Sequence, residues 1–134
     1  MKVVDSSGWL EFFADGPLAE PYAVHLADLA QVLTPAIVLY EVYRWLKRER
    51  GEEEALIAAA QIAKTHVVPV TVTLALTAAD LGLEHRLPMA DSLVYATAVS
   101  MGAELITSDA DFASLPGVIY LAKPKPGTPT PAES

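Results

Sequence analysis

Asp5 stands directly after the apolar run Val3-Val4 and directly before Ser6-Ser7-Gly8. Asp109 and Asp111 follow a second short apolar run in "ELITSDADF", after Thr107 and Ser108. Glu41 is embedded in "PAIVLYEVYRWLKRER", with Ile37, Val38, Leu39, Tyr40, Val42 and Tyr43 around it. Asp91 lies in "LPMADSLVYATAVSMGA", just after Pro88. Each acid has an ordinary structural explanation. Asp5 and Asp109, like Ser6, suit the cap of a following helix. Asp91 and Asp111 suit a first helical turn, where the macrodipole favours negative charge. Glu41 can pair with Arg44 or Arg48 along its own helix. Taken together these explanations weaken, because three of the acids fall at the ends of apolar runs and two more lie on helices able to face them. Carboxylates gathered in one place repel unless a cation joins them. An all-oxygen donor set suits Mg²⁺ or Mn²⁺. Such ions activate water and take up charge on a phosphate in transfer.

The elements that must position these acids are short. Lys2-Val3-Val4 reads as a first strand, Val32 to Thr34 as a second, Val67 to Thr71 as a third, Glu104 to Thr107 as a fourth and Val118 to Leu121 as a fifth. Between them the apolar period is helical over 6–15, 17–31, 36–50, "EEEALIAAAQIAK", 73–85 and from Pro88 to Gly102, with a short turn at 109–114. Pro35 opens one of these helices and Gly51 closes it. Alternating strands and helices predict an α/β domain over 1–122. Its parallel sheet would have about five short strands and helices on both faces. In such sheets ligands bind beyond the carboxyl ends of the strands. Asp5, Asp109 and Asp111 all lie there. The remainder, 123–134, is rich in Pro, lacks large apolar side chains and is expected to be a disordered tail.

The 134 residues fit one domain, and an apolar content of 52% supplies a core without crosslinks. With no cysteine, disulfides, thiolate zinc sites and cysteine nucleophiles are excluded. No apolar run approaches the roughly 20 residues of a membrane span, and "MKVVDSSGW" does not read as a signal peptide, so a cytoplasmic protein is expected. The net charge of -8 opposes non-specific nucleic-acid binding. Arg44, Lys47, Arg48 and Arg50 offset this locally, with four of the nine basic residues in seven positions. Such a run can be a solvated helix face, yet Arg44 and Arg48 share the face that carries Glu41. His25, His66 and His85 have no ligand spacing and no assigned role.

In "VVDSSGWLEFF", "PAIVLYEVYR", "LPMADSLVYATAVSMGAELITSDADF" and the closing strand, the chain resembles PIN-domain nucleases, in particular the VapC-type toxins of toxin–antitoxin pairs. The resemblance runs from Val3 to about Leu121. It implies an endoribonuclease that cleaves single-stranded RNA with a metal-activated water, and Mg²⁺ or Mn²⁺ held by Asp5, Glu41, Asp91 and Asp109. Asp111 corresponds to a further, auxiliary acid. Ser6 and Thr107 correspond to hydroxyls that hold the carboxylates or a bound water. A homodimer and a small antitoxin partner are implied as well. Members often carry a basic residue between the positions of Thr107 and Asp109 and another before Asp111, where this chain has Ser108 and Ala110. Arg44 and Arg48 are then the candidates for gripping RNA phosphates.

Three other functions fit parts of the pattern. A receiver-type phosphoacceptor module is also a small parallel sheet with an acidic pocket, and "LAKP" at 121–124 suits it. It needs paired acids near the first strand and an Asp after the third, where this chain has "PVTVT". A phosphatase of the haloacid dehalogenase type needs an acid two residues after Asp5, where Ser7 stands. A PIN fold that serves as a catalytically silent scaffold is the third.

Overall fold

The structure, a computed structural model, describes residues 1–124. Most of the expected tail, from residue 125 on, lies outside the described residues. Five strands form one parallel sheet: β1 (Lys2–Val4), β2 (Val32–Pro35), β3 (His66–Val68), β4 (Glu104–Thr107) and β5 (Val118–Tyr120). Their spatial order is β3-β2-β1-β4-β5. Every neighbouring pair is parallel, with Val4 opposite Ile106 and Val3 opposite Leu33. Strands covered on both faces read as unbroken apolar runs. Val3, Val4, Val32, Leu33, Leu105 and Ile106 are accordingly all buried.

Six helices connect the strands: α1 (Ser6–Phe13), α2 (Ala19–His25), α3 (Ala36–Glu49), α4 (Glu52–Ile62), α5 (Val72–His85) and α6 (Met89–Ser100). From β1 the chain steps outward through β2 to β3, then crosses back past β1 to β4 and β5. Right-handed crossovers therefore put α1–α4 on one face of the sheet and α5–α6 on the other. The stepping direction reverses between β1 and β4, and Asp5 and Thr107 leave the sheet side by side at that point. Trp9, Tyr22, Leu46, Ile62 and Phe112 fill the core against the strands. No described helix is long and apolar enough to cross a membrane.

The α/β architecture is the expected one, with differences at element ends. The single helix expected over 17–31 is broken. α2 stops at His25, and Asp28 accepts a hydrogen bond from the Ala30 backbone N–H at 3.2 Å to start a separate 3-10 turn over Leu29–Gln31. The third strand ends at Val68 rather than Thr71, because Pro69 has no N–H to give to a ladder. The turn expected over 109–114 is a 3-10 turn of three residues, Ala110–Phe112.

Candidate active site

The site begins with the pairing of β1 and β4. The Asp5 backbone N–H donates to the Ile106 carbonyl at 3.0 Å, carrying the sheet ladder one residue past the strand. Asp5 is thereby fixed beside Thr107, and its side chain is only 3% exposed. Its Oδ1 accepts from the Ser6 backbone N–H at 2.8 Å, so the capping role expected of it is real. Its Oδ2 accepts from the Thr107 hydroxyl at 2.9 Å and from the Ser7 hydroxyl at 3.1 Å. Each hydroxyl has one proton and spends it on Asp5. Each oxygen then accepts from the opposite loop: Thr107 Oγ1 from the Asp109 N–H at 2.9 Å, Ser7 Oγ from the Ser108 N–H at 3.1 Å. Thr107 thus links the Asp5 carboxylate to the backbone of the opposite loop. The loop after β4 is tied down a second time by the buried Ser108 hydroxyl, 2.7 Å from the Tyr22 hydroxyl. Burial pushes that phenol up to about 12, so it remains neutral at any physiological pH.

Around Asp5 the other acids converge. One oxygen from each of Asp91, Asp109 and Asp111 lies within 4.8 Å of the others. Asp91 is presented by the first turn of α6, and Asp109 by the exit of β4. Asp111 enters because Asp109 Oδ1 accepts its N–H at 2.9 Å, starting the 3-10 turn. Burial, then the Asp109 and Asp5 carboxylates, then a hydrogen bond with Asp111 push the Asp91 carboxyl up to about 8. A first-turn acid serving only the helix dipole would be shifted the other way. Burial raises Asp5 too; its hydroxyl and backbone donors pull against this, and Asp109 adds to it. Glu41, on α3, is raised by burial and by the Asp5 and Asp109 carboxylates, with a hydrogen bond to Ser6 opposing them. Asp5, Glu41 and Asp91 are therefore each raised in part by the Asp109 carboxylate, but the acids are not equivalent. The three tightly grouped ones are Asp91, Asp109 and Asp111, while Asp5 and Glu41 stand beside them.

Among the described residues none of these five acids has an ion-pair partner. The pairing considered for Glu41 does not form, since Arg48 turns instead to Glu49 at 3.0 Å. Grouped carboxylates without an ion-pair partner among the described residues form the all-oxygen donor set that a hard divalent cation takes. Mg²⁺ or Mn²⁺ fits this donor set. Arg44 and Arg48 line a depression on α3 with Ser6, Tyr40, Glu41 and Trp45, next to the acids rather than among them. Ser7, Tyr22 and Ser108 escaped the sequence reading. Ser7 was visible as a second hydroxyl after Asp5, but nothing in its spacing separated it from Ser6. Tyr22 meets Ser108 across 86 positions, which no local pattern reports.

A family model for the PIN domain matches residues 2–118. Among solved structures, the chain is similar to a toxin–antitoxin complex from Klebsiella pneumoniae. The identity is 25%, the TM-score 0.75, and the match covers 89% of this chain and 96% of that one. It is also similar to VapC20 of Mycobacterium tuberculosis, described as a sarcin–ricin loop cleaving toxin, at 23% identity and a TM-score of 0.76, covering 92% and 100% of the two chains. A VapBC2 complex from Rickettsia felis, bound to DNA from its promoter, aligns at 15% identity and a TM-score of 0.72, covering 90% and 97%. These last two likenesses show the fold alone. No curated protein matches the chain.

Proposed function

Since the chain belongs to the PIN-domain family, we propose that it is a metal-dependent endoribonuclease acting on single-stranded RNA, the toxin of a cytoplasmic toxin–antitoxin pair. One observation carries the reading: Asp91, Asp109 and Asp111 group where the strand order reverses, with Asp5 and Glu41 beside them and no ion-pair partner for any of the five among the described residues. The structural relatives named as toxins or toxin–antitoxin complexes support it. Asp5, Glu41, Asp91 and Asp109 are the residues proposed to hold Mg²⁺ or Mn²⁺, with Asp111 brought in by its closeness to Asp91 and Asp109. Bound there, the ion supplies positive charge against the phosphodiester and lowers the pKa of water.

The chain's own residues do the rest. Thr107, Ser7 and the Ser6 N–H fix both oxygens of Asp5, so this carboxylate is oriented before anything binds. Asp109 is oriented by its own hydrogen bond from Asp111 N–H. Such pre-orientation avoids a reorganisation cost during the reaction. Arg44 and Arg48 meet phosphates beside Glu41. A small antitoxin covering the acids, and a second copy of the chain, complete the proposed assembly. Cleavage mapping on total cellular RNA with Mg²⁺ or Mn²⁺, against EDTA, tests the reading. Discrete cuts that vanish in EDTA, and in Asp5→Asn with an unchanged circular dichroism spectrum, are expected. Cuts that persist in EDTA or in Asp5→Asn would refute it.

A further inference from the structure

A chain of net charge -8 needs a particular arrangement of its few cations if it is to hold an RNA strand over a cluster of acids. The surface provides one. The depression on α3 that holds Arg44 and Arg48 continues on both sides. Outward it shares Tyr40, Arg44 and Arg48 with a wider hollow of about 540 Å³ that also takes in Tyr43 and Lys47. In the other direction it shares Leu10 and Trp45 with a third hollow. That one reaches Ser7, which holds Asp5, and ends at Lys123. The three hollows share lining side chains in turn, past Glu41, with Arg44, Lys47 and Arg48 toward one end, and Lys123 beside Glu11 toward the other.

Lys123 reaches this place through the sheet. β5 leaves the same edge as β1 and β4, and the Leu121 N–H donates to the Thr107 carbonyl at 2.8 Å. Two residues on, Lys123 lines a hollow with Ser7, Leu10, Glu11 and Trp45. Lys123 is exposed and forms no ion pair among the described residues. The loop carrying Asp109 has Ser108 and Ala110 and so offers no cation. Tyr40 is 59% exposed, far more than a tyrosine with a packing role needs. Lys47 already sits over the Tyr43 ring, 5.5 Å from its centroid. Aromatic faces interleaved with basic groups along a groove are the features by which proteins track a single strand: bases stack, and phosphates meet the cations.

From this geometry we infer that these hollows are the track of a single RNA strand past Glu41 and the Ser7 that holds Asp5, with Lys123 gripping a phosphate toward one end, Arg44 and Arg48 toward the other, and Tyr40 and Trp45 stacking bases along it. The inference rests on the ribonuclease reading and adds to it a second, separate phosphate grip. A duplex is excluded from the stacking part of the track, because its bases already stack on one another.

The test is the binding of a labelled ten-nucleotide polyuridine strand at several salt concentrations, with Ca²⁺ in place of Mg²⁺. Lys123→Glu should weaken binding at least tenfold, Lys123→Ala should flatten the salt slope by about 0.7, the value of one phosphate contact, and Lys123→Arg should restore both. Tyr40→Ala should lose about tenfold and Tyr40→Phe little. Both residues are exposed, so these variants keep the fold. Tryptophan emission gives an independent reading. Of the two tryptophans Trp9 is fully buried, so quenching on RNA binding reports Trp45. Unchanged affinity and slope in Lys123→Glu, or unquenched emission at saturating RNA, overturns the track while RNA cleavage by the unaltered protein keeps the ribonuclease reading. Undiminished RNA binding by Tyr40→Ala together with Lys123→Glu leaves the groove to a protein partner and overturns the track as well. Neither binding nor cleavage by the unaltered protein overturns both.

Discussion

Asp91 shows how a single residue separates a structural role from a chemical one. As a first-turn acid it would lose a few tenths to about 1 kcal/mol on becoming Asn, with or without metal. As a member of a repelling cluster it behaves otherwise. In EDTA, Asp91→Asn should melt higher than the unaltered protein, because folding no longer has to protonate or crowd that carboxylate, and it should gain less from Mn²⁺, because a ligand is gone. Four thermal melts measure this; a lower melt in EDTA with the full gain from Mn²⁺ would show that the acids do not act together. The pH dependence has a definite sign. The Asp91 carboxyl is held at about 8 in the fold, against about 3.9 in an unfolded chain. Between these values the folded state binds the extra proton, so metal-free stability should fall as pH rises from about 4 to about 8. The fall should be shallower in Asp91→Asn and in the presence of Mn²⁺. Tyr22 carries a prediction of another kind. Tyr22→Phe strands the buried Ser108 hydroxyl, and leaving a buried polar group unpaired costs about 1–3 kcal/mol. A lowered melting temperature checks this, and Tyr22→Phe combined with Ser108→Ala should recover part of it.

The elements that position the acids are held by close contacts. α1 approaches α2 at Gly8, where any Cβ would overlap the Tyr22 ring. Gly8→Ala must therefore push α2 away or turn Tyr22, which also carries the bond to Ser108. Overpacking of this kind costs about 1–3 kcal/mol. Urea unfolding should show it, with RNA cleavage falling by more than the loss of folded protein explains, since the Asp109 loop moves too. α3 carries both Glu41 and the basic face. Replacing Arg44 and Arg48 with Ala should weaken RNA binding by a similar factor across sequences and flatten its salt dependence, because phosphate contacts do not read bases. Affinities at several salt concentrations decide this. An unaltered slope returns the face to solvent or to a protein partner.

For the molecule as a whole, metal and folding are linked. The acids come together only when β1, β4, α3 and α6 are assembled, so the unfolded chain has no comparable site. Metal then stabilises the fold by RT ln(1 + [L]/Kd), about 2.7 kcal/mol when free metal is 100 times Kd. Melts across a Mn²⁺ titration should rise with the logarithm of its concentration, and the rise should be absent when Asp5, Asp91 and Asp109 are all Asn. A plateau at the EDTA value in the unaltered protein would remove the metal site.

Much of this was legible in the sequence. Alternating apolar runs and helical periods fix a parallel α/β sheet, because strands buried on both faces leave no other covering. Acids directly after strands mark its carboxyl edge, and the order of the quoted motifs pointed to the PIN family. The break after α2 was not legible, since the helical period continues past His25 and only Asp28 capping a new turn ends it. Nor was the pairing of Tyr22 with Ser108, or the place of Lys123 in a hollow with Ser7, Leu10 and Trp45. Each depends on which side chains meet across the β1–β4 edge. Chain patterns report periods within one element, whereas a contact across 86 positions is decided by how elements pack, and so by the tertiary structure alone.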